Sequence, residues 1–377
     1  MSQPRNQANS TEPVETPAAV WFPRRRKPVG WLLLGLIAAV IAIWLLNWGA
    51  QCIRFGLGKV VRVPASVASI AVDDKFGAAI ISYWGKDYAS LLWLASRRLE
   101  RVPLSEKVMD YDSRFVPPPV AISPKGWGAV VTSEGLDALD LKKKRVVRHL
   151  LGPVRVTLFD RAGDVLHADL REIKMPEAEV LNDMSGAAEF VSYLAAYDED
   201  AKTYSTAVEL PSERTPWKLI FGKLHPTRMV REAALEGDFT MEEVGMMPEG
   251  RGALALVYTS GGRTELRVVP ADPRLPGRTI RIPGSRPWDP TQGMPPPGAL
   301  GHRRLYPCKR SDLVLVRNDG RCLLVDLKAD KYMTLPFGAS AVAISKKLGM
   351  AVLAKANTVR FWRIPERNPR GKLKLAF

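Results

Sequence analysis

Four histidines, His149, His167, His225 and His302, are the first residues to test for chemistry, and they lie far apart in the chain. None has a second histidine, cysteine or carboxylate at the spacing that puts two ligands on one helical face or in one finger, so no metal site is read from them. The run Asp198-Glu199-Asp200 offers three carboxylates in what reads as a hairpin turn. The run reads as a solvated turn, with calcium, which carboxylates on a turn can suit, as the alternative. The sequence has no phosphate-cradling Gly-x-x-x-x-Gly-Lys, no dinucleotide-type Gly-x-Gly-x-x-Gly after a strand, and no Gly-x-Ser-x-Gly nucleophile elbow. No catalytic, cofactor-binding or metal-ligating residue is therefore assigned, and no cofactor is expected. A site assembled from several distant segments would leave no local motif, so an enzyme remains the alternative.

The three cysteines, Cys52, Cys308 and Cys322, are too few for a disulfide framework. Cys308 and Cys322 fall on two strands with a third expected between them, which holds their sulfurs apart. Cys52 follows Gly49-Ala50-Gln51, and glutamine directly before the cysteine fits a lipidation signal poorly.

What must position any function is set by residues 30–50. They are apolar throughout, and no charge occurs between Lys27 and Arg54. A helix rising about 1.5 Å per residue crosses about 30 Å of hydrocarbon in roughly 20 residues. Trp31 lies at one end, with Trp44 and Trp48 towards the other, where indoles favour the membrane interface. The apolar run exceeds a signal-peptide core, and a cut after Ala50 would place Trp48 where a small residue is needed, so it reads as an uncleaved signal anchor. The cluster Arg24-Arg25-Arg26-Lys27 precedes it, while Arg54, Lys59 and Arg62 follow more thinly. Four against three places the N-terminus in the cytoplasm and the large domain outside it.

The expected organisation is a proline-rich disordered tail over 1–29, a transmembrane helix over 30–50, a juxtamembrane segment and closing strand over 51–64, and one domain over 65–377. The net charge is +16; the tail, with five basic and two acidic residues, accounts for +3 of it and the remainder for +13. Such a domain is drawn to anionic headgroups, envelope polymers or an acidic partner. Its expected location argues against nucleic acid. The densest cluster, Lys142, Lys143, Lys144, Arg145 and Arg148, also reads as a solvated turn and a charge-protected edge strand.

The domain repeats itself. Residues 70–80 read Ile-Ala-Val-Asp-Asp-Lys-Phe-Gly-Ala-Ala-Ile, residues 120–130 Val-Ala-Ile-Ser-Pro-Lys-Gly-Trp-Gly-Ala-Val, and residues 342–352 Val-Ala-Ile-Ser-Lys-Lys-Leu-Gly-Met-Ala-Val. Each is an apolar strand, a turn with a shared lysine, and a second strand. Two more strand-like runs follow each of the first two copies and one, 359–364, follows the third, giving an antiparallel meander of three or four short strands. The first two copies start 50 residues apart and the last two 222 apart, which fits five steps of about 44 and a total of seven units. Between them, 154–158 with 165–170 and 189–196 with 204–210 read as hairpins. Runs at 253–258, 266–269 and 279–282 form one further unit, and runs at 305–308, 313–316 and 322–327 another, turning at Asn318-Asp319-Gly320. The segment 227–246 shows mixed helical character through Met229, Val230, Ala233, Ala234 and Leu235. The proline-rich stretch 282–298, with Pro295-Pro296-Pro297 and Trp288, reads either as a docking arm or as a long loop between units.

The hairpin Ile122-Ser123-Pro124-Lys125-Gly126 resembles that of the WD40-like propeller family. Val359-Arg360-Phe361-Trp362-Arg363-Ile364 is similar to the family's third strand, with Arg363 where its aspartate falls, and Leu324-Val325-Asp326-Leu327 matches with Val325 in place of tryptophan. The family's Gly-His pair and buried aspartate are not found. The resemblance implies an all-β fold, a seven-bladed β-propeller with six or eight blades also open, closed by one of the terminal segments 59–63 or 373–377. It leaves function unspecified. The expectation is a membrane-tethered, non-catalytic interaction scaffold with a protein partner in an envelope complex and contact with the bilayer.

Overall fold

The computed structural model describes residues 29–377 except 56–57, 110–118, 153, 155–156, 161, 169–170, 184–194, 199–201, 210–216, 225–226, 284–304, 309–311, 319, 368–372 and 375–377. It divides into two compact units, residues 1–49 and 50–377. In the first, the apolar run is helical as part of Val29–Phe55. The 18 residues Leu33–Ala50 have a mean hydropathy of 2.1 and none is buried. Leu36, Ile37, Leu45 and Leu46, spaced round the full turn, all stand open, so the apolar surface runs round the whole helix instead of forming one core-facing stripe.

The second unit is a seven-bladed propeller, each blade a four-stranded antiparallel sheet. Blade 1 comprises Val67–Asp73, Ala78–Tyr83, Tyr88–Trp93 and Leu99–Pro103. Blade 2 comprises Val120–Ile122, Trp127–Val131, Gly135–Asp140 and Arg145–Leu151. Blades 3 to 6 repeat this meander, opening with Thr157–Phe159, Ala195–Asp198, Phe239–Met246 and Leu305–Cys308. Blade 7 draws three strands from the C-terminal part, Ala341–Ser345, Met350–Lys355 and Thr358–Arg363. Its fourth is Lys59–Arg62, which pairs antiparallel with Thr358–Arg363 and joins the two ends of the domain. Of the two terminal segments, 59–62 closes the ring. Leu373–Lys374 pairs instead with Glu366–Arg367 in a small hairpin outside the blades.

The strands of a blade are called a to d in chain order. Alternate residues of each strand face opposite neighbours, so the cores lie between blades. Six such cores are present among the described residues. One packs Tyr83, Leu92 and Ile81 of blade 1 on Val352, Val359 and Phe361 of blade 7. Another packs Ile80, Leu91 and Val102 of blade 1 on Val130 and Leu139 of blade 2.

A backbone hydrogen bond recurs. The residue after strand c donates its N–H to the turn between strands a and b: Leu94 to Gly77, Leu141 to Gly126, Met175 to Asp164, Ala271 to Arg251, Leu327 to Asp312 and Ile364 to Gly349, at 2.7–3.0 Å in six of the seven blades. It fixes the c–d turn beside the a–b turn, so both lie on one face of the disc. Where strand c ends in aspartate, the side chain closes the c–d turn. Asp140 accepts from the amides of Lys142 and Lys143, and Asp326 from those of Lys328 and Ala329, at 3.0–3.1 Å.

Several expectations are corrected. The segment 227–246 is two strands, Thr227–Leu235 closing blade 4 and Phe239–Met246 opening blade 5. Leu235 is buried and Ala233 half-buried, while Glu232 and Ala234 are exposed. This period of two overrides the helix-like spacing of the apolar residues. Blade 3 holds two strands beyond the expected hairpin, Arg171–Lys174 and Glu179–Asp183. Blade 4 likewise has Trp217–Leu224.

Candidate interaction faces and a buried Asp–His pair

Of the four histidines, His149 has a defined role. It lies on strand Arg145–Leu151, and its Nδ1 is 2.7 Å from Oδ1 of Asp137 on the neighbouring strand. Asp137 is fully buried, and its Oδ2 accepts the backbone N–H of Ser105 at 2.7 Å. One carboxylate thus ties the edge strand of blade 2 to the segment leaving blade 1. The geometry resembles half of a catalytic triad, but His149 Nε2 is buried and bonds no hydroxyl or thiol among the described residues. It reads as a structural pin. His167 lies on the strand Val165–Ala168. His225, His302, Glu199 and Asp200 lie outside the described residues, as does most of the proline-rich stretch 282–298. Asp198 ends the strand Ala195–Asp198.

The cysteines also resolve. Cys308 pairs with Leu313 and Cys322 with Arg317, on opposite flanks of the strand Leu313–Asn318. Two strand spacings and four residues of rise separate them by about 16 Å, far beyond disulfide reach of about 7 Å. Both are fully buried, and burial pushes each thiol up to about 12. These are inert core cysteines.

The cluster from Lys142 to Arg148 divides by partner. Lys144 Nζ lies 2.7 Å from Glu100 of blade 1, and Arg98 approaches the other oxygen of Glu100 at 2.7 Å. The Lys144 hydrogen bond comes first in holding the Glu100 carboxyl below its usual range. Arg148 donates to the Ala178 carbonyl of blade 3 at 2.7 Å. These two side chains join blades. The ammonium of Lys142, in contrast, has no ion-pair partner among the described residues.

Lys142 belongs to a larger pattern. Across blades 7, 1 and 2, the a–b and c–d turns carry Lys346 and Lys347, then Lys75, Arg97 and Arg98, then Lys125 and Lys142–Lys144. Nine basic residues stand against Asp73 and Asp74 of the blade 1 turn, Asp140, which closes the blade 2 turn, and Glu100 and Asp164, which pair with Arg98, Lys144 and Lys125, a net +4. Asp74 is itself engaged, accepting from the Ser345 hydroxyl and from the Lys347 amide at 2.8 Å. The opposite face of the same blades carries Lys86 and Lys107 against Asp87, Glu106 and Glu134 among the described turns. The corresponding turns of blade 5 balance, with Glu249 and Asp272 against Arg251 and Arg274. The positive charge is therefore concentrated on one face of three adjacent blades. Leu348, 44% exposed, stands beside Lys346 and Lys347, and the half-buried Phe76 packs on Trp93 at 5.4 Å between ring centres.

The blades are held across this face. Ser123, the serine of the hairpin motif, donates to the Gly163 carbonyl of blade 3 at 3.3 Å, and Lys125 reaches Asp164 at 2.5–2.6 Å. On the outer side of blade 1 a shallow groove of about 230 Å³ is lined by Pro64, Tyr88, Ser90, Leu99, Glu100 and Arg101. The Arg101 guanidinium lies 4.0 Å over the centre of the Tyr88 ring.

No protein-family model and no curated protein matches the sequence. Solved structures do match in fold. A chain of a structure titled Kuenenia stuttgartiensis Hydrazine Synthase aligns with a TM-score of 0.53 at 12% identity, covering 80% of this chain and 97% of that one. A chain of a Mitotic Checkpoint Complex crystal structure aligns with a TM-score of 0.54 at 11% identity, covering 95% and 99%. At such identities the likeness is one of fold alone. The protein is a seven-bladed β-propeller preceded, among the described residues, by one apolar helix.

Proposed function

We propose that this protein is a membrane-tethered, non-catalytic propeller that serves as an interaction scaffold in an envelope protein complex. The observation that carries this reading is the pairing of a rigid propeller with a 27-residue helix whose described apolar side chains are exposed all round. Exposed Leu, Ile and Trp side chains on every face need a nonaqueous surrounding, and a bilayer supplies one. The propeller offers two faces of turns on a frame locked by interblade cores, an architecture suited to presenting surfaces. A likeness to a chain from a multi-protein complex is in keeping with this. In this reading the N-terminus is cytoplasmic, the helix is a signal anchor and the propeller lies on the other side.

The test is crosslinking of the intact protein in its native membrane, followed by identification of its partners by mass spectrometry and by protease protection of the propeller. A stoichiometric set of envelope proteins and a propeller protected from cytoplasmic protease are expected. A chain that crosslinks to nothing and turns over a substrate through residues of the central channel would overturn the scaffold reading in favour of an enzyme.

A further inference from the structure

We propose that the basic turns of blades 7, 1 and 2 dock on an anionic phospholipid surface, the headgroup layer of the bilayer that receives the apolar helix. This rests on the membrane reading above and adds to it a face, a ligand chemistry and an orientation.

Three observations converge. The first is the charge asymmetry, a net +4 on one face against a near-neutral opposite face. Among the described residues, the ammonium groups of Lys75, Lys142 and Lys347 have no ion-pair partner, and all three side chains are exposed. The second is their form. They are single point charges spread over three blades, with no enclosed fork to select one carboxylate or phosphate. A lattice of headgroups answers such an array, because each lysine near an anionic leaflet adds its own attraction. Leu348, standing among them, is an apolar side chain placed to enter the headgroup boundary.

The third is the route of the chain. The closing strand Lys59–Arg62 begins opposite Phe361 and ends opposite Thr358. Phe361 lies toward the end of strand c that bonds the a–b turn through Ile364 and Gly349, whereas Thr358 adjoins the b–c turn. The chain therefore enters blade 7 from the basic face. Phe55, the last helical residue, precedes Lys59 by four residues, a reach of at most about 14 Å. The face that carries the charge is the one at which the tether arrives.

The test uses the full-length chain with Cys52→Ser and a single new thiol, Leu348→Cys on the basic face or Ser133→Cys on the other. An environment-sensitive fluorophore is attached, and Cys308 and Cys322 stay unlabelled because they are buried. The labelled protein is placed in nanodiscs of phosphatidylcholine, with or without phosphatidylglycerol, containing headgroup spin labels. Quenching at position 348 is expected to be at least about threefold stronger in anionic discs than at position 133, and to collapse toward the latter in 0.5 M salt. The triple variant Lys75→Glu/Lys142→Glu/Lys347→Glu should abolish the difference, and the corresponding lysine-to-arginine triple should keep it. Equal quenching at the two positions, or equal quenching in both disc types, overturns the proposal. So does a label that responds to added polyglutamate or RNA but not to anionic lipid. Release of the chain by alkaline carbonate would overturn the membrane reading along with this one, whereas a retained chain without lipid dependence overturns the docking alone.

Discussion

Replacing Asp137 by alanine should be among the most damaging single changes in blade 2. Its carboxylate is fully buried and makes two short bonds, 2.7 Å to Nδ1 of His149 and 2.7 Å from the Ser105 amide. Each bond to a charged group contributes roughly 1.5–3 kcal/mol, and an orphaned buried donor costs roughly 1–3 kcal/mol. Alanine removes both bonds and strands the imidazole, while the amide of the exposed Ser105 can turn to water, so a loss of about 2–4 kcal/mol is expected. Asparagine keeps one carbonyl acceptor and should lose about half as much. Urea unfolding of the full chain in detergent micelles, followed by tryptophan fluorescence, measures both. A cycle with His149→Gln should show a coupling of about 1–3 kcal/mol between the two side chains. A loss below about 1 kcal/mol for Asp137→Ala, with no coupling, would refute the pinning role and reopen the pair as a functional site.

Three further outcomes are expected. Trp362→Ala removes a fully buried ring packed edge-on against Phe337 at 5.8 Å, and should cost about 3–5 kcal/mol in the same unfolding assay. Gly135→Ala should cost more than Gly128→Ala, because its Cβ would sit 2.0 Å from the backbone carbonyl of Leu150 whereas that of Gly128 meets the movable side chain of Leu141 at 3.0 Å; relative thermal midpoints check the order. Cys308 and Cys322, their thiols pushed up to about 12, should resist maleimide from pH 7 to pH 9 in the folded protein. Their thiolate fraction rises only as pH nears that value, so both should label promptly once the chain is denatured, as intact-mass measurement would show.

The parts legible in sequence are those where local pattern and tertiary demand coincide. Blades 1, 2 and 7 share a hairpin because the same serine or aspartate closes the same turn: Ser123 bonds blade 3, Ser345 bonds Asp74, and Asp73 accepts from Lys75 and Phe76. The count of seven followed from average spacing, yet the blades are uneven. Their first strands begin at 67, 120, 157, 195, 239, 305 and 341, so the steps range from 36 to 66 residues. Blade 3 hid its outer strands because Arg171–Lys174 and Glu179–Asp183 carry few apolar residues. Strand Thr227–Leu235 hid because its apolar residues also fit a helical period, and only pairing with Trp217–Leu224 decides between the two. The basic face was invisible for a different reason. Lys75, Lys142 and Lys347 are separated by 67 and 205 positions in sequence, and only the ring brings their turns to one side.

Ring closure explains why so degenerate a repeat suffices. The recurrent bond from the residue after strand c to the a–b turn uses backbone atoms only, so Leu94, Met175, Ala271 and Ile364 serve equally well. Cores between blades likewise ask for apolar side chains at alternate positions and not for particular ones. What cannot degenerate is the seam, since blade 7 is incomplete without a strand from the other end of the domain. There the constraints accumulate. Lys59–Arg62 pairs along its whole length with Thr358–Arg363, Val63 and Val67 donate to Asn357 and Ala356, and Asp74 holds Ser345 and Lys347 across the opposite face. The seam is thus fixed at both faces of the disc, and the strand that completes it is also the one that carries the chain in from the helix. The topological demand of closure thus falls on this strand, and Val61 carries it into the core between blades 7 and 1.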